Sequence, residues 1–150
     1  QKRQTNEVKA IVEATNNLHR KDYIERKLLG IIFWQKSIKE ASIKVDKVLT
    51  RLGEILKKDP KEILESSQND KENLIFEAEV FYRHVSLDRD IKELIFNLEA
   101  EYLKEELSRK MRELHLAEEA KDKEKSTRLL SAISEISLKL QNIKNGRLTQ

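Results

Sequence analysis

Three histidines, no cysteine and 27 carboxylates are the material for chemistry in this 150-residue chain. Without cysteine there is no thiolate nucleophile, no zinc–thiolate site and no disulfide. A metal site in a helical bundle draws on Glu-x-x-His or His-Glu-x-x-His, spacings that bring two ligands to one helix face. His19, His84 and His115 stand in neither arrangement. His115 with Glu118 and Glu119 comes nearest to a ligand set, and on so charged a stretch it reads as a solvated helix face. Glu101, Glu105 and Glu106 lead into Arg109 and Lys110 at i,i+4 spacing, ordinary surface pairing rather than an acid/base dyad. Gly30, Gly53 and Gly146 are isolated, so no glycine-rich loop is present to cradle a phosphate. Arg20-Lys21, Arg26-Lys27 and Lys57-Lys58 are basic pairs set among acids, and each reads as solvated surface. The expectation is a chain with no catalytic residue, metal ligand or cofactor of its own.

Composition narrows what such a chain can be. Charged residues make up 38% and hydrophobic residues 38%, with three Gly and one Pro. A β-rich fold would lack its turn residues, so the fold class expected is all-α. The balance is 30 basic against 27 acidic residues, interleaved throughout. No block of like charge marks a nucleic-acid arm, and strong direct nucleic-acid binding is not expected. The longest apolar run, residues 28–34, is interrupted by Gly30 and far shorter than the ~20 residues of a membrane span. No membrane association and no signal peptide are expected, and a cytoplasmic setting suits a cysteine-free chain. The first residue is Gln rather than Met, from which a fragment of a longer protein is expected.

The elements follow from punctuation and periodicity. Residues 1–21 carry a weak pattern (Val8, Ile11, Val12, Leu18) and read as a tether or leading helix. Asp22 with Glu25 forms a capping box for a helix that is apolar on most sides, from Ile24 through Leu28, Leu29, Ile31, Ile32, Phe33 and Trp34. Phe33 and Trp34 are read as core rather than as a partner anchor. Val48, Leu52, Ile55 and Leu56 repeat at helical spacing. Asp59-Pro60-Lys61-Glu62 is a strong start signal, with Asp as cap and Pro at the first helical position. Asp70 is expected to cap a helix carrying Leu74, Ile75, Ala78, Phe81 and Tyr82. His84-Val85-Ser86 reads as a junction. Residues 22–86 therefore form a small multi-helix bundle.

Residues 88–119 hold no Gly or Pro and predict one helix of roughly 48 Å. At about 100° per residue its apolar face changes between Tyr102 and Leu103. Ile91, Leu94, Ile95, Leu98 and Tyr102 serve the bundle; Leu103, Leu107, Met111 and Leu114 serve another partner. That partner is the next helix, whose Leu129, Ile133, Ile136, Leu140 and Ile143 recur at steps of 4, 3, 4, 3. Folded back about Lys121-Asp122, with Asp122 as cap, Leu114 faces Leu129, Met111 faces Ile133, Leu107 faces Ile136 and Leu103 faces Leu140. Residues 87–150 are thus expected to be a long connecting helix and a C-terminal antiparallel helical hairpin. Three leucines lie off that seam: Leu116, Leu138 and Leu148. Beside Lys139, Lys144 and Arg147 they make a candidate docking surface.

In order and spacing, three stretches resemble the C-terminal end of bacterial DnaG-type primases. These are Leu98-Glu-Ala-Glu-Tyr-Leu-Lys-Glu-Glu-Leu-Ser-Arg-Lys-Met-Arg-Glu-Leu, Ala117-Glu-Glu-Ala-Lys-Asp-Lys-Glu-Lys-Ser-Thr-Arg-Leu-Leu and Leu138-Lys-Leu-Gln-Asn-Ile-Lys. Arg26-Lys-Leu-Leu-Gly-Ile-Ile resembles the start of the preceding bundle in that domain, so the likeness covers roughly residues 22–146. It implies a helicase-interaction domain: a bundle that modulates the helicase, and a terminal hairpin that docks on the N-terminal collar of the replicative DnaB-type hexamer. It places the zinc-binding and magnesium-dependent polymerase domains of the parent upstream. The replisome in the bacterial cytoplasm is the implied location. Leu116, Leu138, Lys139, Lys144, Arg147 and Leu148 are the expected helicase contacts. Two alternatives stand beside this: the N-terminal domain of the helicase itself, and an unrelated helical adaptor or nucleic-acid-binding bundle. An exposed hairpin also offers an element for a domain-swapped dimer.

Overall fold

The computed structural model describes residues 19–148. Among the described residues there are six α-helices, one 3-10 turn and no strand, so the fold is all-α. The chain divides into two units within the fifth helix, between Leu98 and Glu99. The tether expected at the N-terminus, with Val8, Ile11, Val12 and Leu18, lies almost wholly outside the described residues.

The first unit is built around α1 (Arg20–Ser37). Ile24, Leu28, Leu29, Ile31, Ile32 and Phe33 are buried, as expected of a helix apolar on most sides. Trp34 is only half-buried, so it is not the core residue expected. The capping box at Asp22 does not form. The helix begins two residues earlier, at Arg20, with His19 as a cap that makes no side-chain bond. Asp22 falls in the first turn instead, where a negative charge meets the unpaired N–H groups and the positive end of the helix dipole.

α2 (Val45–Leu56) buries Val48, Leu49, Leu52 and Ile55, and ends on Lys57 in the left-handed region at φ 57°. α3 (Pro60–Ser66) starts as the sequence predicts: the Asp59 side chain accepts from the Lys61 N–H at 2.9 Å, and Pro60 takes the first position. A 3-10 turn (Gln68–Asp70) leads into α4 (Lys71–Tyr82). α1 packs chiefly on α4, and more lightly on α2, which in turn meets α3. The α1–α4 contact needs Gly30. A Cβ there would stand 2.8 Å from the Leu74 carbonyl oxygen and 3.3 Å from the Ala78 Cβ. Gln35 is buried too, its Oε1 accepting from the N–H and hydroxyl of Ser42 and so closing the loop after α1.

α5 (Leu87–Glu119) begins beyond the expected junction at residues 84–86. Its first turns belong to the first unit, where Leu87, Ile91 and Leu98 are buried.

The second unit holds the rest of α5 and α6 (Lys123–Leu148). The turn between them is where the sequence puts it. Lys121 adopts φ 57°, its N–H donates to the Glu118 carbonyl, and the Asp122 N–H donates to the Ala117 carbonyl, each at 3.0 Å. These two bonds with one left-handed residue make a Schellman ending, here without glycine. Asp122 then caps α6 through a bond from the Lys125 N–H to its carboxylate at 3.1 Å.

Burial on α6 follows the expected stripe: Leu129 and Ile136 are buried, and Ile133, Leu140 and Ile143 half-buried. On α5, Leu103, Leu107 and Leu114 are half-buried, but Met111 is 56% exposed and is not a seam residue. The stripe runs through Leu103, Leu107, Lys110, Leu114 and Ala117, again in steps of 4 and 3. Lys110 holds the place assigned to Met111. Its side chain is 31% exposed, and its ammonium stands 3.7 Å from the Glu113 carboxylate. Ala117, which the sequence reading passed over, is buried.

Candidate docking surface

The expected site residues fall on the two helices of the second unit. Leu116 is 64% exposed and Leu138 59% exposed; Lys139 and Lys144 are exposed as well. The side chains of Arg147 and Leu148 lie outside the described residues. Leu116 stands three residues before the end of α5. Leu138 lies fifteen residues into α6, roughly 23 Å along its axis. Leu116 sits at the turn end of its helix and Leu138 well along α6, so they are two separate exposed side chains rather than one patch. Leu138 is joined instead by a residue that the sequence reading missed as a site: Leu130, 53% exposed. Its signal was hidden beside Leu129, because adjacent residues on a helix point about 100° apart and only one of them can face the seam.

The rest of the molecule offers less to a ligand. Among the described residues no cluster of three or more His, Asp or Glu side chains is placed to hold a metal. His115 pairs with Glu119 at 3.1 Å on an open helix face. Arg26-Lys27 is not the solvated basic pair expected. Arg26 grips Glu77 with a two-pronged bond, Nε to Oε2 and Nη2 to Oε1, each 2.8 Å, and gives Nη1 to Asp70. The Asp70 carboxylate is thereby taken from its expected capping role, and it accepts from the Asn73 amide as well. The Arg26 hydrogen bond holds Asp70 below the usual carboxylate range, while Glu77 first and Asp70 second hold the guanidinium charged. Lys27 lies over two rings, 4.5 Å from the centre of Tyr23 and 4.9 Å from that of Phe81.

These rings border a cleft of about 390 Å³ in the first unit, lined further by Tyr82, Asp90, Glu93 and Leu94. Burial raises the Tyr82 phenol well above its usual range, with Asp90 adding to the effect. The cleft is large enough for a small ligand. Its charges are of both signs, and Lys27 is committed to the rings, so it presents no convergent set of polar groups. Among the described residues no helix is long and apolar enough to cross a membrane.

No protein-family model matches the sequence, and no curated protein or solved structure matches it.

Proposed function

We propose that the chain is a docking module, and specifically the helicase-interaction domain of a bacterial primase. In this reading its second unit binds the N-terminal collar of the replicative helicase and brings primer synthesis to the fork. The first unit modulates the helicase. One observation carries the docking part: leucines 116 and 138 are each more than half exposed on a thin charged unit that has no need of them for its own stripe. Exposed large apolar groups at defined places on a helix are what a partner groove recognises. The specific partner rests on the resemblance of residues 22–146 to the primase C-terminal domain. Residues 87–150 hold as many acids as bases. Recognition therefore relies on shape and a few leucines, with Lys139 and Lys144 at the rim.

Arg26 and Lys27 are engaged within the first unit, which weighs against the nucleic-acid-binding alternative. The test is size-exclusion chromatography of the chain with the replicative helicase of the same organism. Co-elution that is lost on deleting residues 120–150 supports the reading. Co-elution that survives the deletion would move docking off the second unit, and separate elution of the intact chain would remove the helicase as partner.

A further inference from the structure

The side of α6 turned away from Leu129 and Ile136 is exposed yet uncharged over most of its length. From residue 127 to residue 145, the positions about 80–200° from Leu129 carry no charge at all. Thr127, Leu130, Ser134, Leu138 and Gln141 are among them, and all are exposed. One edge of this face does carry charge, in an order that reads alternately: Glu124, Arg128, Glu135, Lys139. All four are exposed, and among the described residues none of them makes an ion pair.

Their spacing is 4, 7, 4, which is the same read from either end. Lay a second α6 antiparallel on the first and the order reverses. Glu124 then meets Lys139 of the second copy and Arg128 meets its Glu135, and the two-fold axis repeats both pairs. All four positions meet opposite charge. The same register sets Leu130 against Ser134 of the second copy and Leu138 near its Thr127, large side chains over small ones. A parallel pairing about a two-fold axis would turn this edge toward the opposite edge of the second copy and form none of these pairs. Lys123 lies on this face at the first residue of α6 and Lys144 at its other edge near the far end; both are exposed and can turn to water.

We infer that the outer face of α6 is a homotypic interface, on which a second copy of this chain docks antiparallel about a two-fold axis near residue 132. The inference does not rest on the helicase reading, although Leu138 is common to both, and self-association would compete with docking there. One helix pair falls short of the roughly 800 Å² per partner of a standard interface, so the dimer is weak, with a Kd on the order of 100 µM.

The test is sedimentation equilibrium of the whole chain from about 20 µM to about 1 mM, with helicity followed by circular dichroism. Arg128→Glu and Glu135→Arg each convert attraction into repulsion at two symmetry-related places, and each is expected to weaken the dimer about tenfold. The double variant, Arg128→Glu with Glu135→Arg, restores opposite charges across the axis and is expected to return to within about twofold of the parent. Residues 128 and 135 are two turns apart on one helix and do not touch, so this rescue has no source within a single chain. A chain that stays monomeric at about 1 mM, a dimer indifferent to the single changes, or single losses that the double variant does not repair would each overturn the inference.

Discussion

At the residue scale, one cation shapes each unit: Lys121 the second and Arg26 the first. Lys121 holds the left-handed position of the turn between α5 and α6, a conformation that costs an L-residue about 1 kcal/mol and glycine almost nothing. Lys121→Gly is therefore expected to stabilise the second unit by up to about 1 kcal/mol, read as a higher denaturation midpoint, with both Schellman bonds kept. Arg26 joins α1 to both carboxylates at α4. Arg26→Ala would strand the half-buried Glu77, and a loss of about 2 kcal/mol is expected. Acid titration separates the Asp70 part. Its folded pKa is depressed, so its contribution is complete above its unfolded value near pH 4 and is lost as the pH falls through the folded one. The stability gap between the parent and Asp70→Asn is expected to be open at pH 6 and to narrow by pH 3 in urea titrations. A gap that stays constant with pH would mean that the Arg26–Asp70 bond contributes nothing through ionisation.

The elements show which signals a sequence makes legible. Punctuation by local chemistry was readable: Asp59-Pro60, the junction at residues 84–86 and the turn at Lys121-Asp122 all stand where their residue types predict. Those signals depend only on neighbours along the chain. Signals that depend on a distant partner were not readable. Asp70 has the residue type of a cap, but Arg26, 44 residues away in sequence, claims its carboxylate. Lys110 and Met111 show the same thing for packing. Hydrophobicity alone selects Met111 for the stripe, whereas the 4, 3 spacing selects Lys110, and the fold follows the spacing. Lys110 is 31% exposed and Met111 56%. Replacing the stem of Lys110 by a leucine adds apolar burial without leaving a charge to desolvate, so Lys110→Leu is expected to stabilise by about 1 kcal/mol. Met111→Ser is expected to change stability by less than about 0.5 kcal/mol. The reverse order in thermal melts would return Met111 to the seam.

For the whole molecule, the candidate site divides along the same line. Leu116 and Leu138 could be found in the sequence because they fall off any stripe their helix can bury. Leu130 could not, because its neighbour Leu129 accounts for the apolar signal there. The paired carboxylates of Arg26 and the two rings under Lys27 lie in the first unit, whereas Met111, Leu116, Leu130 and Leu138, each more than half exposed, all lie on the second. On the proposed reading, that contrast is what makes the second unit the docking element. The direct measurement is calorimetric titration of the chain into the N-terminal domain of the replicative helicase, alongside Leu116→Asp and Leu138→Asp. Leu116 lies off the face proposed for self-association, so its variant reports on docking alone. The account predicts binding by the parent and at least tenfold weaker binding by each variant at unchanged helicity. Equal affinity of all three chains, or no heat of binding from any of them, would contradict it.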